Sequence, residues 1–110
     1  MRFFIDSANI EQIRQAAAWG LADGVTTNPS LMAKEGGDWR EVARAICREI
    51  SGPVSLEVIG ETTESMLQEA LELIKFGPNV VVKIPMTLAG LERITDRMAK
   101  LQPALLRAVA

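Results

Sequence analysis

Residues 80–85 read Val80-Val81-Val82-Lys83-Ile84-Pro85, an apolar run that contains a single lysine. Its β-branched residues predict a strand that is buried on both faces in a parallel sheet. Because a protonated amine is costly to desolvate there, Lys83 must either find an anion or lose its proton. Such a lysine is suited to Schiff-base chemistry on a carbonyl compound. The alternative is a lysine on an edge strand whose amine reaches water.

Length and composition predict one modest globular domain over residues 1–110. Hydrophobic residues make up 48% of the 110 positions and charged residues 24%, which is the balance of a folded chain. The net charge is −2 without a basic cluster, so no nucleic-acid partner is expected. No apolar run approaches the roughly 18 residues of a membrane span, so no membrane partner is expected either.

The scarcity of cysteine and histidine narrows the possible chemistry. Cys47 is the only cysteine and histidine is absent, which excludes an intrachain disulfide, a His/Cys zinc site and a Ser-His-Asp or Cys-His arrangement within this chain. Acid–base chemistry must then fall to carboxylates, a lysine or water, and neither a metal nor a cofactor is expected. The single cysteine, together with an early acid where a signal peptide would be apolar, predicts a cytoplasmic protein.

The order of turn and apolar segments predicts strands that alternate with helices. Strands are expected at Arg2–Ile5, Gly24–Thr27, Val54–Val58 and Val80–Ile84. Helices are expected from Ser7 or Asn9 to about Trp19, after Asn28-Pro29, and over Trp39–Ile50, where Asp38 and Glu41 would form a capping box. Two more are expected, from Thr62 or Thr63 to about Ile74 and from Thr87 to about Leu101. This α/β alternation predicts a parallel sheet with right-handed crossovers.

Polar residues near the strand ends fall on one face of that sheet, which we call the polar face. Residues two apart in a strand share a face. The polar face therefore carries Asp6, Thr26, Asn28, Ser55, Glu57 and Lys83. Each has a structural explanation, with Asp6 as a helix cap, Ser55 as a hydroxyl bonded to backbone and Glu57 as a half-exposed acid. Together they favour a functional lysine, because barrel enzymes place catalytic groups at the carboxyl ends of their strands.

Four segments carry a resemblance to a known family. They are Asp6-Ser7-Ala8-Asn9, Thr26-Thr27-Asn28-Pro29-Ser30, Ser55-Leu56-Glu57-Val58 and Val81-Val82-Lys83-Ile84-Pro85. In this order and spacing the chain resembles transaldolase, and it is most similar to the small subfamily that includes fructose-6-phosphate aldolase. The likeness runs from Arg2 to about Ile94. It implies a TIM (β/α)₈ barrel, of which this chain would form a (β/α)₄ half.

The resemblance also implies a role for each polar residue. Lys83 matches the Schiff-base lysine, Asp6 the carboxylate that moves the proton of the C4 hydroxyl, and Glu57 the acid that works through a water on the imine. Asn28 matches a residue that hydrogen-bonds the dihydroxyacetone unit, and the Thr26 and Ser55 hydroxyls would lie near the lysine and the acid. Fructose-6-phosphate aldolase has a glutamine in place of Glu57, which favours transaldolase.

The implied function is transfer of a dihydroxyacetone unit between sugar phosphates in the pentose phosphate pathway. Three alternatives remain open: a fructose-6-phosphate aldolase-like lyase, a catalytically silent half-barrel with a structural or assembly role, and a small-molecule binding module. The sequence carries four of eight strands and lacks the arginines with which the family binds phosphate, as expected of a half or of a shortened coding sequence. Unpaired strand edges and an uncovered polar face predict that chains associate, for example as two halves closing one barrel.

Overall fold

The computed structural model describes residues 1–85, and within them four strands form one parallel sheet. The strands are β1 (Phe4–Asp6), β2 (Gly24–Thr26), β3 (Val54–Glu57) and β4 (Val80–Lys83), and they lie side by side in chain order. The first strand begins later than predicted and includes Asp6. Phe3 lies just before the strand, where its amide donates to the Asp23 carboxylate at 2.7 Å and its carbonyl accepts from the Asp23 amide at 2.8 Å.

Helices connect each strand to the next, as the alternation predicted. They are α1 (Ile10–Ala18), α2 (Pro29–Lys34), α3 (Trp39–Glu49) and α4 (Thr63–Leu73), the last followed by a 3₁₀ turn at Ile74–Phe76. Within residues 1–85 none of these helices combines the length and hydropathy that a membrane crossing requires. The arrangement is that of a (β/α)₄ half of a TIM barrel. The helix predicted from Thr87 lies outside the described residues.

Side-chain caps determine where the helices begin. Asn9 rather than Ser7 caps α1 by accepting from the Gln12 amide at 3.0 Å. Thr62 rather than Thr63 caps α4 and completes a capping box with Ser65.

The capping box predicted for α3 does not form. Asp38 caps the helix by accepting from the Arg40 amide. The Glu41 carboxylate lies 2.7 Å from the Arg44 guanidinium instead, because that side chain, one turn later, offers a charged donor.

The hydrophobic core lies between the helices and one face of the sheet. Val25, Val54 and Val82 point to this face from three neighbouring strands and are fully buried. Ile13, Ile46 and Met66 from the helices pack against the same cluster.

The polar face is open within the described residues, so the prediction that the strand with Lys83 is buried on both faces is wrong. The strand at residues 80–84 is not buried on both faces, because Val81 and Lys83 are only half-buried whereas Val80, Val82 and Ile84 are buried. The helices cover one side of the sheet, and among residues 1–85 no further layer of structure covers the other. β4 is accordingly an outer strand of the described sheet, as in the alternative interpretation of Lys83.

Candidate functional site

The strand register arranges the polar face in two rows. Asp6 pairs with Thr26, and Thr26 pairs with Ser55, which forms a row across β1, β2 and β3. Glu57 pairs with Lys83 two residues closer to the carboxyl ends of β3 and β4. Since paired residues of parallel strands point to the same side, the predicted common face is confirmed for these five residues.

Lys83 and Glu57 form an ion pair on this face. The Lys83 Nζ lies 3.4 Å from the Glu57 Oε2, and the two side chains are 33% and 17% exposed. The backbone strengthens the same contact, because the Val58 amide donates to the Lys83 carbonyl at 3.1 Å. The amine has therefore found an anion, the first of the two outcomes that the sequence allowed. A carboxylate beside an amine is also the arrangement that proton transfer during imine formation requires.

Asp6 is oriented by a hydroxyl on the neighbouring strand. The Thr26 Oγ1 donates to the Asp6 Oδ1 at 2.9 Å. The structural alternative for Asp6, a helix cap, is not observed, because Asn9 caps α1. Asp6 is exposed, and among residues 1–85 its second carboxylate oxygen makes no hydrogen bond. This oxygen can accept a proton from a bound hydroxyl compound.

Asn28, which lies two residues beyond the end of β2, and Ser55 on the polar face each keep a polar group free of hydrogen bonds within the described residues. The Asn28 Oδ1 caps α2 by accepting from the Leu31 amide at 2.9 Å, which fixes the orientation of the side-chain amide. Its Nδ2 makes no hydrogen bond with the rest of the described chain, and neither does the Ser55 hydroxyl. The backbone-bonding hydroxyl expected at Ser55 belongs instead to the buried Thr27, whose Oγ1 donates to the Ser55 carbonyl at 2.7 Å.

Asn79 supports the site in a way that the sequence reasoning missed. Its Nδ2 lies 3.2 Å from the Cys47 carbonyl, 2.6 Å from that of Ile50 and 3.0 Å from that of Gly52. These contacts fasten the residue just before β4 to the end of α3, and so fix the strand that carries Lys83. In the sequence, Asn79 directly follows Gly77-Pro78 and belongs to none of the motifs named above.

A groove adjoins the site but does not contain it. It has a volume of about 1010 Å³ and runs from the ends of β2 and β3 toward α2, α3 and α4. Of the six predicted residues only Asn28 and Glu57 line it. Within the described part of the chain, no group of three or more His, Cys, Asp or Glu residues could hold a metal ion.

Comparisons with known proteins agree with the motifs. The family model described as Transaldolase/Fructose-6-phosphate aldolase matches residues 3–100. A probable transaldolase of Maridesulfovibrio salexigens is 63% identical over 91 residues, which cover 83% of this chain and 42% of the relative. A probable transaldolase of Clostridium tetani is 51% identical over 96 residues, covering 87% and 45%. One of Methanococcus maripaludis is 55% identical over 94 residues, covering 86% and 44%.

The aligned region makes up most of this chain but less than half of each relative. The match to the family covers most of the 110 residues, and it includes all four segments that carried the resemblance. The chain spans less than half the length of these curated relatives. It belongs to the transaldolase/fructose-6-phosphate aldolase family.

Proposed function

We propose that this chain provides the Schiff-base half of a transaldolase, which transfers a dihydroxyacetone unit between sugar phosphates in the pentose phosphate pathway. The observation that carries the proposal is the 3.4 Å pair of Lys83 and Glu57 on the same open face as the Asp6–Thr26 hydrogen bond. The names of the relatives, probable transaldolases, support the same class of reaction. The proposal places the reaction in the cytoplasm.

The first step joins Lys83 to the substrate ketone. The neutral Nζ attacks C2 of the ketose phosphate and forms a carbinolamine, which loses water to leave a protonated imine. A proton must leave the nitrogen, and another must reach the departing hydroxyl. Glu57 is the group beside Nζ that can carry both, directly or through one water.

The second step breaks the bond between C3 and C4. Asp6 accepts the proton of the C4 hydroxyl, C4 leaves as an aldehyde, and the electron pair of the broken bond moves into the imine to give an enamine. The enamine then attacks the aldehyde of an acceptor, which takes back a proton from Asp6, and water hydrolyses the resulting imine to release the new ketose phosphate. Asn28 and Ser55 have free polar groups with which to bind the hydroxyls of the dihydroxyacetone unit.

The proposal extends to self-association through the polar face. β1 and β4 are the outer strands of the described sheet, and Phe4 on the polar face is 49% exposed. A second copy that supplied four further strands would pair both edges and cover this face. Analytical ultracentrifugation at micromolar concentration should then show a dimer or a larger assembly, and a monomer would contradict this part of the proposal.

Imine trapping tests the chemistry directly. The protein is incubated with fructose 6-phosphate and reduced with borohydride, and the peptide that contains Lys83 is analysed by mass spectrometry. We expect a stable adduct at Lys83 that is lost in Lys83→Met and kept in Lys75→Met, a control at an exposed lysine that pairs with Glu72. Absence of the adduct at saturating sugar would refute imine chemistry. Passage of labelled carbon to an aldose phosphate then distinguishes transfer from simple cleavage.

A further inference from the structure

A carboxylate on α4 holds the backbone of the segment that follows Glu57 in the chain. β3 ends at Glu57, and the next amide, that of Val58, still donates to the Lys83 carbonyl. The Ile59 amide leaves the strand ladder and donates to the Glu69 Oε2 at 2.6 Å. Because the Ile59 side chain is 70% exposed, apolar packing does little to hold this residue. The hydrogen bond to Glu69 is therefore the specific tether of Ile59, the residue that follows the buried Val58.

Gly60 allows the same segment to lie flat against α4. A Cβ at Gly60 would overlap the Ser65 Oγ and lie 2.9 Å from the Glu69 Oε1. A side chain at this position would therefore require the Ser65 and Glu69 side chains to shift. The two oxygens of the Glu69 carboxylate thus lie beneath two consecutive residues, one bonded to the Ile59 amide and the other in close contact with Gly60.

We propose that Glu69 is a positioning residue for Glu57, an inference that rests on the function proposed above. The backbone after Glu57 is tied on one side to the Lys83 carbonyl and on the other to Glu69. The contact that it maintains, from the Glu57 Oε2 to the Lys83 Nζ, is already 3.4 Å long, so a small shift of the strand end would open it. Displacement of a reacting group by about 1 Å can cost on the order of 100-fold in rate.

Three variants on α4 test this role. Glu69→Ala removes the acceptor, and Glu69→Gln keeps a carbonyl oxygen at the same place. Glu72→Ala is the matched control, because within residues 1–85 Glu72 pairs only with the exposed Lys75. In borohydride trapping with fructose 6-phosphate, Glu69→Ala should lower the limiting rate about 10- to 100-fold with little change in the half-saturating sugar concentration. Glu69→Gln should recover most of that rate, and Glu72→Ala should match the unaltered protein.

Two results in this experiment would overturn the proposal. One is an unchanged limiting rate in Glu69→Ala. The other is a decrease of the limiting rate in Glu69→Gln as large as that in Glu69→Ala. If Glu69 positions Glu57, the oxygen that glutamine keeps should restore that position and the rate. Urea unfolding of each variant shows whether it is still folded. If Glu69→Ala is unfolded, the comparison of Glu69→Gln with the unaltered protein still tests the proposal.

A measurement without sugar separates this inference from the proposed function. Acylation of Lys83 by acetic anhydride, followed by mass spectrometry relative to Lys75, reports how firmly Glu57 holds the amine. Glu57→Gln should raise the Lys83 rate about threefold or more, Glu69→Ala should raise it similarly, and the double variant should add little, as expected for residues that act through one contact. Additive effects would overturn the inference. Non-additive effects in a protein that forms no sugar adduct would retain the positioning role and refute the proposed function.

Discussion

Replacing Glu57 by glutamine separates the chemical role of this carboxylate from its contribution to stability. The substitution keeps the size of the side chain and removes the negative charge 3.4 Å from the Lys83 Nζ. At that distance the Coulomb attraction is about 5 kcal/mol for an effective dielectric constant near 20. Since the Lys83 side chain is 33% exposed, water compensates for most of the loss. The expected net decrease in the free energy of unfolding is about 1 kcal/mol or less, as for partly exposed pairs.

The same substitution should have a much larger effect on imine formation. A positioned acid–base group contributes about 100- to 10,000-fold to a proton-transfer step, and glutamine cannot replace it. We therefore expect the rate of borohydride-trapped adduct at Lys83 to fall at least about 100-fold while the protein remains folded. The rate comes from a quenched time course with fructose 6-phosphate, and the free energy of unfolding comes from urea titration followed by circular dichroism.

Either of two outcomes would refute this reasoning. An adduct rate equal to that of the unaltered protein would remove Glu57 from the proposed chemistry. A decrease in the free energy of unfolding of about 3 kcal/mol or more would show that the pair is enclosed, because that is the cost of breaking a buried pair. Neither result would follow from a half-open pair whose main contribution is to proton transfer.

Three further predictions follow from neighbouring contacts. Thr26→Val removes the 2.9 Å hydrogen bond to Asp6 and should slow release of the aldehyde product while imine trapping at Lys83 continues; equal loss of both would contradict it. Asn79→Ala leaves three backbone carbonyls without their donor and should lower the free energy of unfolding, measured in urea, by about 3 kcal/mol, and a loss below about 1 kcal/mol would contradict the anchoring role. Burial raises the pKa of Cys47 from its ordinary value of 9.0 to about 11, so its contribution to stability should be present below pH 9.0 and be lost as the pH rises toward about 11. At pH 8 iodoacetamide should modify the folded protein about 100-fold more slowly than the unfolded chain, and comparable rates would contradict the burial.

The order of strands and helices could be predicted because its signals are local. Each strand is a short apolar run between turn residues, and each helix begins at a capping side chain next to it in sequence. The burial of β4 could not be predicted in the same way. Val81 is as apolar as its neighbours, yet it is half-buried, because the covering of a sheet face depends on elements distant in sequence.

In the candidate site, too, local features could be predicted from the sequence and contacts between distant segments could not. Alternation along single strands was enough to bring Asp6, Glu57 and Lys83 to one face. The pairing of Asp6 with Thr26 and of Glu57 with Lys83 depends on the register between strands, which the sequence of one strand does not contain. Asn79 was missed because its partners are backbone carbonyls 27 to 32 residues away.

The register also divides the proposed reaction between two parts of the sheet. Glu57 and Lys83 lie on adjacent strands, so imine formation needs only β3 and β4 in place. Asp6 lies on β1, three strand spacings from β4, or about 14 Å along the sheet. In the substrate, however, C2 and the C4 hydroxyl oxygen are only three bonds apart. Asp6 and Lys83 can therefore act on one molecule only where the sheet curves enough for their side chains to converge, as in a closed barrel. Cleavage thus depends on the curvature of the whole sheet, whereas imine formation depends on a single pair of strands.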